Sequence, residues 1–287
     1  MEKAPLATYN LQMTAFLKMH GLGNDFVVFD ARDTAFALTP AQARAVADRH
    51  FGIGCDTVVV IRPGGAAADA SLLFYNADGA ESESCGNATR CVARLLMNER
   101  GLARVKLETK GGMLVCRDAG KGLVTSDMGE PRLLWDQIPM ASAVDTSNFA
   151  LEVGGTSLAA SAASMGNPHC VLFVPDAEKA PVATLGPQIE TLPLFPKRVN
   201  VEFAQVLDAG KIRMRVWERG VGITLACGTG ACATAVAAVR RGLTGRKVEL
   251  VLDGGSLFIE WREEDNHVLM TGPTAMPFRG RVDLDTL

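Results

Sequence analysis

Two cysteines of this 287-residue chain stand in the same local setting: Cys85 opens Cys85-Gly86-Asn87-Ala88, and Cys227 opens Cys227-Gly228-Thr229-Gly230. Each leads into a stretch whose side chains pattern as a helix. A cysteine at a helix entry lies beside unpaired backbone N–H groups and the positive end of the helix dipole, which draw a thiol from its ordinary pKa of about 8.5 toward neutrality. Such a thiol is a usable acid or base. The glycine that follows lets a ligand come close to the backbone, whose exposed N–H groups then form an anion site suited to a carboxylate. Two thiols facing each other across a cleft could take a proton from one face of a carbon and deliver another to the opposite face, inverting a stereocentre without nicotinamide or pyridoxal. Donors at the two helix N-termini would hold the negative charge that develops beside the carboxylate. No lysine motif suggests a Schiff base, so no cofactor is expected.

The two settings belong to an internal repeat. The leading cysteines lie 142 residues apart, close to half the chain; Asn24 precedes Cys85 by 61 residues, and Asn167 precedes Cys227 by 60. Nine residues before each cysteine stands a polar side chain, Asn76 or Glu218. Duplication at matching offsets implies two similar halves, each holding one helix against strands.

The elements that must position these residues are mostly strands. Period-2 and β-branched runs predict them at 26–30, 57–62, 71–76, 105–110, 123–128, 169–174, 199–206, 211–218, 247–252, 257–261 and 267–271. Pro40 to Arg49 reads as a helix with Thr39 as N-cap. From about Asn87 to Arg100, Ala88, Cys91, Val92, Leu95 and Leu96 form one apolar stripe, and Gly101 is placed to end the helix. From about Gly230 to Arg241 the residues are small and apolar on every face, which suits a helix enclosed by sheet.

Composition bounds the partners. With 48% hydrophobic and 21% charged residues the chain is ordinary globular protein, and a net charge of −3 gives no electrostatic reason to expect nucleic acid or an anionic membrane. A small-molecule substrate is expected. Seven scattered cysteines, without the spacings of a zinc site, argue against a disulfide framework or a bound metal and for the reducing cytoplasm.

Further ordered motifs surround the two cysteines: Lys18-Met19-His20-Gly21-Leu22-Gly23-Asn24-Asp25-Phe26, Gly52-Ile53-Gly54-Cys55-Asp56, Asn76-Ala77-Asp78-Gly79, Gly166-Asn167-Pro168-His169, Arg198-Val199-Asn200-Val201 and Trp217-Glu218-Arg219-Gly220. Taken together they resemble the diaminopimelate epimerases, pyridoxal-independent epimerases of lysine and cell-wall biosynthesis, over nearly the whole chain. The resemblance implies an α+β fold of two pseudo-symmetric domains, each a strand-rich, barrel-like sheet around a central helix. It places the first domain at 14–128 plus 274–287, the second at 129–273, and an N-terminal extension at 1–13. It further implies that LL- and meso-diaminopimelate are interconverted by Cys85 and Cys227 as acid/base pair, with His169 and Glu218 setting the protonation of the thiols. Substrate binding would fall to Asn24, Asn76, Asn167, Asn200, Glu218 and Arg219 at the non-reacting end, and to Gly86, Asn87, Gly228 and Thr229 at the reacting carboxylate. A homodimer is implied by the same resemblance.

Two positions depart from the family pattern. Thr57 stands where glutamine is common and reaches less far, and Ala88 stands where glycine is common, adding a Cβ expected to narrow the pocket slightly. The proline and hydroxyproline racemases also use two cysteines, but with Cys-Gly-His first and Ser-Pro just before the second motif, where this chain has Asn87 and Leu225-Ala226. A non-catalytic thiol-containing binding module is the alternative from a different class.

Overall fold

A computed structural model describes residues 13–83 and 85–287. The first half runs β1 (Met13–Gly21), β2 (Asn24–Asp30), α1 (Pro40–Ala47), β3 (Thr57–Pro63), β4 (Ala70–Asn76), β5 (Glu81–Ser82), α2 (Gly86–Arg100), β6 (Arg104–Thr109), β7 (Gly112–Asp118) and β8 (Leu123–Asp127). After β9 (Phe149–Val153) the second half repeats that order: β10 (Thr156–Ser164), β11 (Pro168–Phe173), α3 (Val182–Glu190), β12 (Asn200–Asp208), β13 (Lys211–Glu218), β14 (Gly222–Ile223), α4 (Gly228–Arg240), β15 (Lys247–Leu252), β16 (Gly255–Trp261) and β17 (Val268–Pro273). Strand β18 (Ala275–Asp283) returns to pair antiparallel with β1, as β9 pairs with β10. Residues 1–12, which make up most of the expected N-terminal extension, lie outside the described residues.

Strand pairing repeats with the sequence. Strands β1–β2 and β10–β11 are antiparallel, β2–β3 and β11–β12 parallel, β3–β4 and β12–β13 antiparallel, β4–β6 and β13–β15 parallel. The meanders β6-β7-β8 and β15-β16-β17 follow, and β8 pairs antiparallel with β17 to join the halves. Each half therefore wraps its sheet around one helix: α2 packs on β1, β2, β3, β6, β7 and β8, and α4 on their counterparts β10, β11, β12, β15, β16 and β17. On the outside, α1 and α3 cover the sheets with separate apolar layers around Phe29 and Phe203. Among the described residues, no helix is long and apolar enough to cross a membrane.

Local sequence explains the helix ends. Thr39 accepts a hydrogen bond from the Gln42 backbone while the Gln42 side chain accepts one from the Thr39 N–H, a reciprocal cap with Pro40 in the first turn. Helix α2 stops at Gly101, whose φ of 64° is open to glycine and strained for most other residues. Strands β1, β5, β7, β9, β10, β14 and β18 and helix α3 lie outside the sequence-based elements. Strand β10 is Ala- and Ser-rich with little β propensity, β18 carries a proline and a glycine, and α3 holds Gly186 and Pro187. Tertiary pairing decides all three.

Candidate active site

The two helices present their N-termini to one cleft of about 600 Å³, of a size suited to a small ligand. Cys85 is the N-cap of α2 at φ −143°, ψ 104°, and Cys227 the N-cap of α4 at φ −116°, ψ 107°; neither side chain caps its own helix. The duplicated sequence thus yields duplicated geometry. Around the thiols the cleft brings together Asn24, Asn76, Gly86, Asn87, Asn167, Asn200, Glu218, Arg219, Gly228 and Thr229, residues that are scattered along both halves of the sequence.

On the first side, the half-buried Cys85 thiol donates to Asn24 Oδ1 at 3.8 Å. Asn87 Nδ2 donates to the same oxygen at 3.2 Å, and Asn24 Nδ2 donates to Asp56 Oδ2 at 2.9 Å. Asp56 is in turn held by Arg49, which also pairs with Asp25, so a charged network anchors the asparagine. Asn76 and Thr57, at the facing ends of β4 and β3, complete this wall, Thr57 nearly buried.

On the second side, Cys227 Sγ lies 3.6 Å from Thr229 Oγ1, which accepts from Asn167 Nδ2 at 3.2 Å. Asn167 Oδ1 meets His169 Nε2 at 3.1 Å, and His169 Nδ1 meets Glu202 Oε1 at 2.6 Å, the histidine and glutamate both fully buried. Glu218 accepts from the Thr224 hydroxyl and lies within hydrogen-bonding reach of Cys227. Asn200 is committed to the backbone, donating to Pro168 O at 3.0 Å and accepting from the Arg219 N–H at 2.9 Å, so it fixes where Arg219 leaves β13. Arg219 stands exposed at the cleft mouth, one nitrogen on Lys197 O at 3.1 Å.

The expected lowering of the thiol pKa values is reversed. Backbone N–H groups of Asn87 and Ala88 do favour the Cys85 thiolate, but burial outweighs them and pushes this thiol up to about 11, with Glu218 adding to the rise and Arg90 opposing it. Cys227 is raised well above its ordinary value, first by burial and then by the carboxylates of Glu218 and Glu202. Burial likewise raises Glu218. Thiols held this firmly in the protonated form need charge supplied by a ligand or a neighbour to activate either one.

The structure adds to the sequence-based reading at Gly86 and Gly228 and departs from it at Ala88. Gly86 and Gly228 do more than admit a ligand: a Cβ at Gly86 would come within 2.8 Å of Met270 Cε, and one at Gly228 within 2.9 Å of Met270 Sδ. One methionine of β17 thus occupies the space both glycines leave. Ala88 does not narrow the cleft, because it is fully buried in the first-half core. His169 does not line the cleft; it stands behind it and bonds to Asn167.

Glu202, Asp56 and Arg90 escaped sequence reasoning. Glu202 carries no distinguishing signal, since β12 also holds Asn200, Gln205 and Asp208. Asp56 stands within the Gly52-Ile53-Gly54-Cys55-Asp56 motif without a role of its own, and Arg90 has no signal.

Comparison with known proteins accords with this geometry. The family profile described as Diaminopimelate epimerase matches residues 16–134 and 161–277. A diaminopimelate epimerase of Rhodospirillum centenum is 57% identical over 268 residues, covering 93% of this chain and 91% of that one. That of Phenylobacterium zucineum is 55% identical over 272 residues, covering 93% and 97%. Among solved structures, a hydroxyproline epimerase from Agrobacterium vitis superposes with a TM-score of 0.68 at 18% identity, covering 94% of this chain and 91% of that one, a likeness of fold.

Proposed function

The chain belongs to the diaminopimelate epimerase family, and from that premise we propose that it interconverts LL- and meso-diaminopimelate by proton transfer between Cys85 and Cys227. The observation that carries the proposal is the pair of N-cap cysteines, one from each repeat, opening on a single cleft lined by five asparagines.

The chemistry follows from the cleft. A substrate whose α-carbon sits between the sulfurs gives its proton to one as thiolate and receives a proton from the other as thiol, so each turnover exchanges the two roles. The carbanion delocalises into the adjacent carboxylate, and the N–H groups that begin α2 and α4 hold that charge; one donor of this kind is worth about 3 kcal/mol in a dry site. The carboxylates of Glu218 and Glu202 face Cys227 and raise its thiol, and His169 bonds to Glu202. Arg219 at the mouth offers a planar guanidinium to the carboxylate of the far end, and the Asn76 and Asn200 sides of the cleft complete the distal site.

We further infer that the domains divide at 14–128 plus 274–287 and 129–273, which is supported by the return of β18 to β1 and the repeated pairing order. A cytoplasmic homodimer is proposed from the family resemblance alone. Incubation in deuterated water tests the function: deuterium should enter the α-position of diaminopimelate rapidly and that of proline not at all. Exchange into proline with none into diaminopimelate would favour a racemase of the hydroxyproline type, and exchange into neither would favour a binding module.

A further inference from the structure

Arg90 is a fully buried arginine with no carboxylate partner among the described residues. It lies on α2 five residues after Cys85, facing the second half. Its Nη2 donates to Asn87 Oδ1 at 2.6 Å, its Nη1 lies 3.3 Å from Met270 Sδ, and its Nε has no hydrogen-bond partner. A charge is costly to bury unpaired, and burial correspondingly lowers the guanidinium's own pKa. At the same place in the second repeat, 142 residues on, stands the neutral Cys232.

The contacts of Arg90 form a directed chain. Because the guanidinium takes Asn87 Oδ1, the amide nitrogen of Asn87 must face outward, where it donates to Asn24 Oδ1, the oxygen that the Cys85 thiol also uses. With Asp56 accepting from Asn24 Nδ2, both carboxamides are fixed in orientation. Both thiols face Glu218, but only one of them also has a cation beside it. Cys85 faces Arg90 from α2 and Glu218 from β13, together with the N–H groups of Asn87 and Ala88. Cys227 faces Glu218 from β13 and Glu202 from β12, with the Thr229 hydroxyl and the Gly230 N–H, and His169 of β11 stands against Glu202. Around Arg90 itself the other titratable groups are Cys91, Cys116 and Cys232.

We propose that Arg90 is a positioning residue of the reaction: it orients Asn87 and Asn24 about Cys85, and its unpaired charge makes Cys85, rather than Cys227, the thiol that ionises first. The proposal rests on the reading of the two cysteines as the acid/base pair. Two helix caps of the same geometry would thereby be made unequal, so that the resting enzyme is poised to deprotonate the isomer whose α-hydrogen faces Cys85.

The test is the pH dependence of iodoacetamide alkylation at each thiol, followed by peptide mass spectrometry on the full chain; the midpoint of such a profile reports ionisation apart from access. In the wild type, Cys85 should have the lower midpoint. Arg90→Gln keeps a donor for Asn87 without the charge, and it should slow Cys85 alkylation about tenfold at a pH below both midpoints, equivalent to about one pH unit, while Cys227 keeps its midpoint. Arg90→Lys should keep most of the wild-type profile. An equal shift at both thiols, or none at Cys85 in folded Arg90→Gln, overturns the proposal. So does a wild-type Cys227 that ionises first, a result that needs no variant to fold. Deuterium exchange into diaminopimelate by the wild type separates this failure from failure of the proposed function, which would abolish exchange whatever the order of the thiols.

Discussion

Ser126 and Met270 face each other in the β8–β17 ladder, both fully buried, and they are counterparts in the repeat: Ser126 pairs with Cys116 in the first meander as Met270 pairs with Ile259 in the second. The local two-fold relation between the halves therefore passes between a serine and a methionine. The serine bonds to Cys116 at 3.2 Å, whereas the methionine extends between the two cysteine-led helix entries and touches Arg90. The site is built on symmetric backbone and asymmetric side chains.

Met270 makes the first prediction. Gly228→Ala places a Cβ against its sulfur in a closed core, where overpacking typically costs about 1–3 kcal/mol. The loss, measured by denaturant unfolding, should be partly recovered when Met270→Ala is added. Additive effects in this double-mutant cycle would show that the two side chains do not compete for space.

Arg219→Ala should lower catalytic efficiency toward diaminopimelate more than tenfold, equivalent to about 1.4 kcal/mol, since alanine cannot replace a guanidinium that binds a carboxylate through two N–H groups. Its exposure at the cleft mouth predicts an unchanged unfolding midpoint. Wild-type kinetics in this variant would remove Arg219 from the distal site.

The buried thiols predict alkaline instability. Burial pushes Cys91 and Cys232 up to about 12 and Cys116 up to about 11, so the folded chain keeps protons that the unfolded chain begins to lose near a pH of about 8.5. Stability is whole below that value and falls as pH rises toward 11 or 12, by at most about 1.4 kcal/mol per pH unit for each thiol. Unfolding free energies at several pH values should show the decline, and Cys91→Ala should flatten it. A slope unaltered by removing Cys91 would contradict burial as its cause.

Helices with a terminal signal were legible in the sequence: Thr39 and Pro40 open α1, and Gly101 closes α2. The duplicated Cys-Gly motifs disclosed the symmetry of the fold because backbone geometry follows local sequence. Strand β10 and helix α3 were hidden, since Ala160 to Ala163 and Gly186-Pro187 take their conformation from neighbouring elements. In the site, most residues that line the cleft were readable from their motifs, Asp56 excepted. Arg90 and Glu202, which stand behind it, were not, because a charged side chain gives no sequence sign that it points inward until the opposite half covers it.

The central claim is that inversion uses one thiol on each face of the reacting carbon, and exchange by the single variants Cys85→Ala and Cys227→Ala in deuterated water tests it most directly. Each variant keeps one thiol and one intact helix N-terminus, so it should exchange the α-hydrogen of the isomer that faces the remaining sulfur and return a solvent proton to the same face. Neither should epimerise appreciably, and the two should prefer opposite isomers among LL- and meso-diaminopimelate. A variant that interconverts the isomers at near wild-type rate, or two variants that exchange the same isomer, would contradict the two-base account.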